Sequence, residues 1–320
     1  MLTTLSRYLY RTWWYSRFGC SSWEDDVLDS LHHLRFTTPL VTPFGLRDSI
    51  QTDRVAELVR RQKSAGADGV LVASTVGEGD TLSTDERDTL VHAAVKTARD
   101  VDVAVLVDIS VPSVEAAANA ADHATSMGVD ALVMALPSLR SYDTTTCSLV
   151  LDVIAKATNL PLIIRAPDTK AFCLSLEVVS QLARVPIVQG CITNDLEEAL
   201  RLRNETPLTV LMASDYLIGP ALLAGISGIV SPVANLVPES VARIVRAAMI
   251  GNIDEVRSAQ RWIMGLCDLI GSELVIARMK AALQFIGYSA GVSRLPRRAL
   301  TDSETEALSA ALRQWGIGAS

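Results

Sequence analysis

Five acidic residues stand at the ends of apolar segments of this chain, where their side chains could act together. They are Glu78, Asp108, Asp168, Asp195 and Asp215. Carboxylates that converge on one face can hold a divalent cation, and such a cation would stabilise an enolate. Asp195 in TNDLEEAL and Asp215 in SDYLIG also stand where helix N-caps belong. Because capping alone would account for both, we predict caps rather than a metal site.

Two basic residues lie near the end of the apolar segment around residue 163. Arg165 could bind a carboxylate ligand through its forked guanidinium group, or form an internal ion pair with Asp108 or Asp168. Lys170 could act as an amine nucleophile or as a loop cation that binds an anion. We favour the ion pair for Arg165 and the anion-binding role for Lys170.

The elements that would position these residues alternate regularly. Short apolar runs rich in β-branched residues predict eight strands, at 39–44, 69–74, 103–110, 131–137, 161–167, 186–193, 208–214 and 228–233. Stretches with apolar residues three and four apart lie between them and predict helices. Apolar strands separated by helices indicate a parallel sheet covered by helices, and eight such units indicate a closed (β/α)8 TIM barrel. An open doubly wound sheet is the alternative, but no G-x-G-x-x-G follows the first strand.

Three regions are predicted along the chain. Residues 1–36 form an N-terminal extension, residues 37–251 form the barrel, and residues 252–320 form a helical tail. The tail contains three helical stretches, at 253–269, 272–286 and 303–312. Because these are too few to bury a core alone, we expect the tail to pack on the barrel or on a neighbouring subunit.

Composition excludes several classes of protein. The formal net charge is −7 and the 29 basic residues are scattered, which argues against a nucleic-acid surface. Apolar runs are interrupted well before membrane-spanning length. The five cysteines are odd in number and include no C-x-x-C, so neither a disulfide framework nor a zinc site is expected. Cys191 has no histidine placed to activate it, and we interpret it as a small buried apolar residue.

The first 23 residues differ from the rest of the chain. They carry Arg7, Arg11 and Arg17, contain seven aromatic residues, and have no acid before Glu24. This pattern is typical of a removable mitochondrial presequence, and a cytoplasmic location is the alternative. If the segment is retained instead, its aromatic residues could dock the barrel into a larger assembly.

Several longer segments, taken in order, resemble a known family. They are TPLVTPFG at 38–45, GADGVLVASTVGEGDTLSTDER at 66–87, MGVDALVMALPS at 127–138, GISGIVSPVANLVPE at 225–239, MKAALQFIG at 279–287 and GVSRLPRRALTDSE at 291–304. Together they resemble the dihydrodipicolinate synthase and N-acetylneuraminate lyase group of pyruvate-handling class I aldolases. The resemblance implies a TIM barrel, a homo-oligomer and no cofactor.

The resemblance also implies a mechanism whose main residues this chain lacks. In the family, a lysine on the sixth strand forms a Schiff base with a 2-oxo acid, and a tyrosine after the fifth strand relays protons. On this chain the lysine position falls on Ile192, within VQGCITND at 188–195. The tyrosine position falls on Ile164, or on Arg165 if a one-residue gap is placed differently. Only the relay threonine is kept, as Thr75.

Substrate-binding positions are carried over in the same way. Thr75, Val76 and Gly77 match the family loop after the second strand, although Val76 replaces a second threonine. The arginine that meets the substrate carboxylate falls on Thr169, beside Lys170. With Arg165 these are the candidate ligand contacts, and the expected ligand is a small 2-oxo acid or another anion.

Two functional hypotheses follow. The first is a catalytically degenerate homologue that cannot form the lysine iminium and acts as a binding or structural subunit. The second is an active lyase or aldolase on a small 2-oxo acid. It would use Lys170, a metal, or non-covalent enolisation by Thr75 and Arg165.

Overall fold

The computed structural model of the protein describes residues 31–135, 144–165 and 176–318. Eight parallel strands pair in chain order and close into a barrel, as predicted. Their bounds are β1 Phe36–Pro39, β2 Gly69–Val72, β3 Ala104–Asp108, β4 Ala131–Ala135, β5 Leu162–Arg165, β6 Val188–Thr193, β7 Thr209–Met212 and β8 Gly228–Val230. β1 pairs with β8 through Phe36 and Ile229, which closes the sheet.

Helices surround the barrel and continue beyond it. The barrel helices are α1 Thr52–Ala65, α2 Thr84–Val101, α3 Val114–Met127, α4 Thr144–Ala157, α5 Leu176–Leu182, α6 Leu196–Glu205, α7 Ile218–Leu223 and α8 Pro238–Met249. The C-terminal helices are α9 Ile253–Ile270, α10 Val275–Phe285 and α11 Asp302–Gln314. α9 packs along α8, and α11 packs on α10. Among the described helices, none has both the length and the apolar character needed to cross a membrane.

The first strand lies earlier in the chain than predicted. Residues 39–44 were the expected strand, whereas β1 ends at Pro39. The side-chain amide of Asn235 explains why, because it donates to the carbonyl of Pro39 and accepts from the amide of Val41. These bonds replace ladder partners, so the apolar run from Leu40 to Phe44 becomes a loop over the carboxyl end of the barrel.

Side chains on the strands alternate between two apolar layers. Those that point into the barrel form an inner cluster of Leu31, Leu34, Leu71, Leu106, Ala131, Val133, Ile163, Ile192, Leu211 and Val230. The intervening residues face the helices and join a larger outer cluster. Leu31 and Leu34 precede β1 and lie within the region predicted as an extension. Because they pack in the inner cluster at the amino ends of the strands, residues 31–36 are part of the barrel structure.

Local signals define where two of the helices begin. Ser83 caps α2 in a reciprocal capping box with Glu86, and Thr301 does the same for α11 with Glu304. Each box satisfies backbone amides that would otherwise lack partners in the first helical turn. The start of α2 also fixes one end of the loop that carries Thr75.

Candidate functional site

The loop between β2 and α2 has a tightly constrained backbone. Ala73 and Glu78 adopt left-handed conformations, with φ of 57° and 55°, although neither is a glycine. The amide of Gly79 donates to the carbonyl of Ser74 at 2.9 Å and thereby closes the turn. A Cβ atom at Gly79 would lie 1.8 Å from the carbonyl oxygen of Ala73, so only glycine fits there. The loop therefore has one well-defined shape.

The predicted ligand contacts in this loop differ in accessibility. Thr75 is exposed, Val76 is half-buried against the outer apolar layer, and Gly77 is buried. The Thr42 hydroxyl donates to the carbonyl of Gly77 at 2.5 Å, which ties the loop to the β1–α1 connection. Thr75 is thus the residue of this group that offers its side chain to solvent.

Arg165 and Asp108 form an ion pair at the carboxyl end of the barrel. Arg165 Nη2 lies 3.7 Å from Asp108 Oδ2, and 21% of the arginine side chain and 4% of the aspartate side chain remain exposed. Asp108 also accepts a hydrogen bond from the amide of Ser110 at 2.9 Å. Burial raises the pKa of Asp108, while Arg165 and the bonds from Ser110 act in the opposite direction. Asp108 is therefore one of the two ion-pair partners that were predicted for Arg165.

Ile192 lies on β6 with its side chain inside the barrel. It is 2% exposed and packs in the inner apolar cluster, which also contains Ile163 and Leu211. Its neighbour Cys191 faces the helices and is fully buried, and burial strongly raises the pKa of its thiol. Cys191 is therefore the small buried apolar residue that we predicted.

The two candidates for the tyrosine position face opposite ways. Ile164 is buried in the outer cluster between strand and helices. Arg165 follows it and pairs in register with Ile192 on β6. A side chain that must meet a ligand above the barrel axis would extend from position 165 rather than from 164. Of the two candidates, Arg165 is therefore the one on the inner face of the sheet, and the assignment of the tyrosine position stays a prediction.

Four of the chain's five lysines lie in the described residues, and none of these is among the inner-cluster residues. Lys63, Lys96 and Lys156 belong to the outer helices α1, α2 and α4. Lys280, on α10, is almost completely buried, and its amine lies 2.6 Å from Glu78 Oε1. Burial lowers the pKa of Lys280, and Glu78 opposes this shift.

The buried pair of Lys280 and Glu78 was not predicted from the sequence. The sequence predicts a tail helix at 272–286, which contains Lys280, and places Glu78 among five strand-end acids. One sequence signal was available, because Lys280 falls on the same helical face as Ile276, Ala277 and Leu283, which are all buried. A lone lysine on an apolar face indicates a buried partner, although it does not identify that partner.

The acidic residues do not assemble into a metal site in the described part of the chain, where no group of three or more histidine, cysteine, aspartate or glutamate side chains is close enough. Asp195 is the N-cap of α6, as predicted, and accepts from the amide of Glu198 at 2.9 Å. The prediction that Asp215 is a helix cap is wrong. Its carboxylate accepts instead from the Ser231 hydroxyl at 2.6 Å and the amide of Val233 at 2.9 Å.

Asp215 should make stability depend on pH in an identifiable way. Burial raises its pKa to about 6, above the value of an unfolded chain, so the folded state takes up a proton as the pH falls from 7 to 5. The contribution of Asp215 to stability should therefore increase on acidification and be lost as the pH rises through 6. We expect the wild type to gain about 1 kcal/mol relative to Asp215→Asn between pH 7 and pH 5, measured by urea unfolding. An unchanged difference would contradict the raised pKa.

Several predicted site residues lie outside the described residues. They are Asp168, Thr169 and Lys170. Their predicted roles stay predictions. The described part of the candidate site therefore consists of the Thr75 loop, the pair of Arg165 and Asp108, and Ile192.

The class of protein follows from this arrangement. A closed parallel barrel that carries polar loops at the carboxyl ends of its strands is the architecture of TIM-barrel enzymes and their relatives. The profile of the dihydrodipicolinate synthetase family matches residues 32–315. The chain belongs to this family.

Individual relatives agree with that assignment. The chain is 32% identical over 285 residues to an uncharacterised DapA-like lyase of Halobacterium salinarum, covering 87% of this chain and 93% of that protein. It is 28% identical to the 4-hydroxy-tetrahydrodipicolinate synthase of Moorella thermoacetica, covering 88% of this chain and 98% of the synthase. The crystal structure of dihydrodipicolinate synthase from Aquifex aeolicus superimposes with a TM-score of 0.82 at 21% identity, covering 90% of this chain and 99% of that one. This last likeness concerns the fold alone.

Proposed function

We propose that this protein is a catalytically degenerate member of the family, which cannot form a lysine Schiff base and acts as a binding or structural subunit. The observation that carries the proposal is Ile192. Its aliphatic side chain stands at the position to which the resemblance assigns the lysine, and it is packed among other apolar side chains inside the barrel. An iminium requires an amine aimed at the substrate carbonyl, and an aliphatic side chain cannot supply one.

The other charged groups support the same proposal. The Lys280 amine forms an ion pair with Glu78 Oε1 at 2.6 Å, and both side chains are buried. Asp108 places a carboxylate beside Arg165, and this charge disfavours the close approach of a second carboxylate. Both features reduce the capacity of the described residues for covalent chemistry on a 2-oxo acid.

Arg165 and Thr75 support a binding role. Arg165 retains partial exposure, and Thr75 is exposed on a loop with a constrained backbone. A guanidinium group has five N–H donors, so a small anion could bind Arg165 and the Thr75 hydroxyl while Asp108 stays paired with the same arginine; the charge of Asp108 would make this binding weaker. The predicted homo-oligomeric state and mitochondrial location belong to this proposal as further expectations. Docking through the N-terminal extension is the alternative if that segment is retained.

Borohydride trapping with pyruvate tests the proposal. Borohydride reduces an iminium to a stable secondary amine, so a lysine that reacts with pyruvate acquires a permanent mass increase. We expect intact-protein mass spectrometry to detect no adduct on this protein, because none of the lysines in the described residues points into the barrel. A family member that carries the strand-six lysine serves as the positive control under the same conditions.

The competing hypothesis predicts different outcomes. An adduct on any lysine would contradict the degenerate assignment, and loss of that adduct in Lys170→Ala would identify a shifted amine. Cleavage or condensation of a 2-oxo acid that stops on addition of a chelator would indicate a metal-assisted enzyme instead. Turnover that persists in Lys170→Ala and in the presence of a chelator, but is lost in Arg165→Met, would indicate non-covalent enolisation.

A further inference from the structure

The C-terminal region contacts the β2–α2 loop through a set of charge pairs. Lys280 pairs with Glu78, Arg294 pairs with Glu86 at 2.7 Å, and Arg297 pairs with Asp80 at 3.0 Å. All three acids lie between the end of β2 and the first turn of α2, so the pairs join one short segment to the tail. We call residues 280–297 the clamp segment.

Glu78 is the central residue of these contacts. Its side chain is fully buried, and its carboxylate lies 2.6 Å from the Lys280 amine and accepts from the amide of Arg294 at 2.7 Å. Its backbone adopts φ of 55°, which is unfavourable for a residue with a Cβ atom. Such conformations persist only where the surrounding structure determines them. For Glu78, both of these contacts to the carboxylate come from the clamp segment.

Arg294 adds contacts on the outer side of the loop. Its guanidinium group donates to both carboxylate oxygens of Glu86, at 3.0 and 2.7 Å, and to the carbonyl of Thr81 at 3.1 Å. Glu86 is also the residue that completes the capping box of α2. Arg294 therefore binds both the loop and the start of the helix that follows it.

The clamp segment also contacts the β1–α1 connection, which lies beside the β2–α2 loop. The Lys280 amine and the Arg294 guanidinium lie 4.2 and 4.1 Å from the centroid of the Phe44 ring. Phe44 belongs to the β1–α1 connection, in which the Thr42 hydroxyl donates to the carbonyl of Gly77. The clamp segment thus reaches the Thr75 loop by two routes, one through Glu78 and one through Phe44.

We infer that the clamp segment is a positioning element of the candidate site, in which Lys280 and Arg294 hold the loop that presents Thr75. Neither residue is inferred to touch a ligand. The inference rests on the proposed function only in taking Thr75 as a ligand contact. The dependence of the loop on the clamp segment can be measured without any ligand.

Hydrogen–deuterium exchange on the full chain tests this inference, with Arg294→Met as the variant. We expect amides in the peptide spanning residues 74–82 to exchange about tenfold faster or more than in the wild type, because two charge-assisted bonds to Glu86 are lost. Arg298→Met is the matched control, since Arg298 pairs with Glu304 in the same way without touching the loop. Amides in α6 that exchange through local openings are the internal reference, because those openings leave the contacts of Arg294 intact; their exchange should not change in either variant.

A conservative variant separates positioning from a general loss of stability. Arg294→Lys retains a positive charge near Glu86 but lacks the guanidinium group that binds both carboxylate oxygens. Loop exchange should therefore be intermediate between the wild type and Arg294→Met. Equal exchange in Arg294→Met and Arg298→Met would overturn the inference, as would equal acceleration in the loop and in the locally exchanging amides of α6. An adduct in the borohydride experiment would remove the proposed function and leave this inference in place.

Discussion

Replacement of Ile192 with lysine is expected to lower the free energy of unfolding at pH 7 by about 4–5 kcal/mol, because the cost stops growing once the folded-state pKa falls below 7 and the amine is neutral. A fully buried lysine has its pKa lowered by up to about 3–5 units because the charged form loses its solvation. Each unit corresponds to about 1.4 kcal/mol. Ile192 is 2% exposed and its inner-cluster neighbours are apolar, so they could not compensate the charge. Urea unfolding monitored by circular dichroism would measure the loss.

The pH dependence of this variant has a defined sign. The unfolded chain holds the lysine proton up to about pH 10.4, whereas the folded variant would release it at a lower pH. Stability relative to the wild type should therefore recover as the pH rises toward 10. Ile192→Met, which nearly conserves volume and adds no charge, is the control and should cost less than about 1.5 kcal/mol. A lysine tolerated at little cost would reveal access for water to position 192 and would weaken the proposal of a degenerate site.

Replacement of Lys280 with methionine should be the next most damaging change. The substitution leaves the Glu78 carboxylate buried without its cation, and loss of one partner of a buried pair costs about 3–5 kcal/mol. The amide of Arg294 would still donate to Glu78, which favours the lower part of that range. Chemical unfolding of the single variant at pH 7 provides the measurement.

Two further variants show whether the charge imbalance is responsible. The double variant Lys280→Met with Glu78→Gln removes both charges, and we expect it to regain at least half of the lost stability. Arg257→Ala breaks an exposed pair with Asp254 and should cost less than about 1 kcal/mol. A double variant no more stable than the single one would instead attribute the loss to packing around the lysine stem.

Much of the fold could be predicted because its signals are local. The alternation of β-branched runs with helical periodicity depends on residues a few positions apart, and it predicted all eight units of the barrel. The error at β1 has a long-range cause. Residues 39–44 are as apolar as the strands, but Asn235 binds the backbone on both sides of Leu40 and ends the ladder at Pro39. A residue almost two hundred positions away therefore decided the length of this strand.

The candidate site was predictable in a more limited way. Motif resemblance identified Thr75, Ile192 and Arg165 and predicted the absence of a lysine on the sixth strand. It could not decide between Ile164 and Arg165 as the tyrosine position, because a one-residue shift reverses the side of the sheet on which a side chain lies. The cap predicted for Asp215 failed for a similar reason, since its partners Ser231 and Val233 belong to the next β–α connection.

Residue types and their order alone determined that this chain forms a parallel barrel, that it resembles the dihydrodipicolinate synthetase family, and that no lysine occurs in the segment assigned to the sixth strand. Only the tertiary structure decided which residues meet. The ion pair of Arg165 with Asp108, and the contact of Glu78 with a clamp segment 216 positions away, depend on closure of the barrel and packing of the tail. Periodicity reports the environment of each residue along its own helix or strand, whereas the partner of a buried charge is set by how those elements pack together.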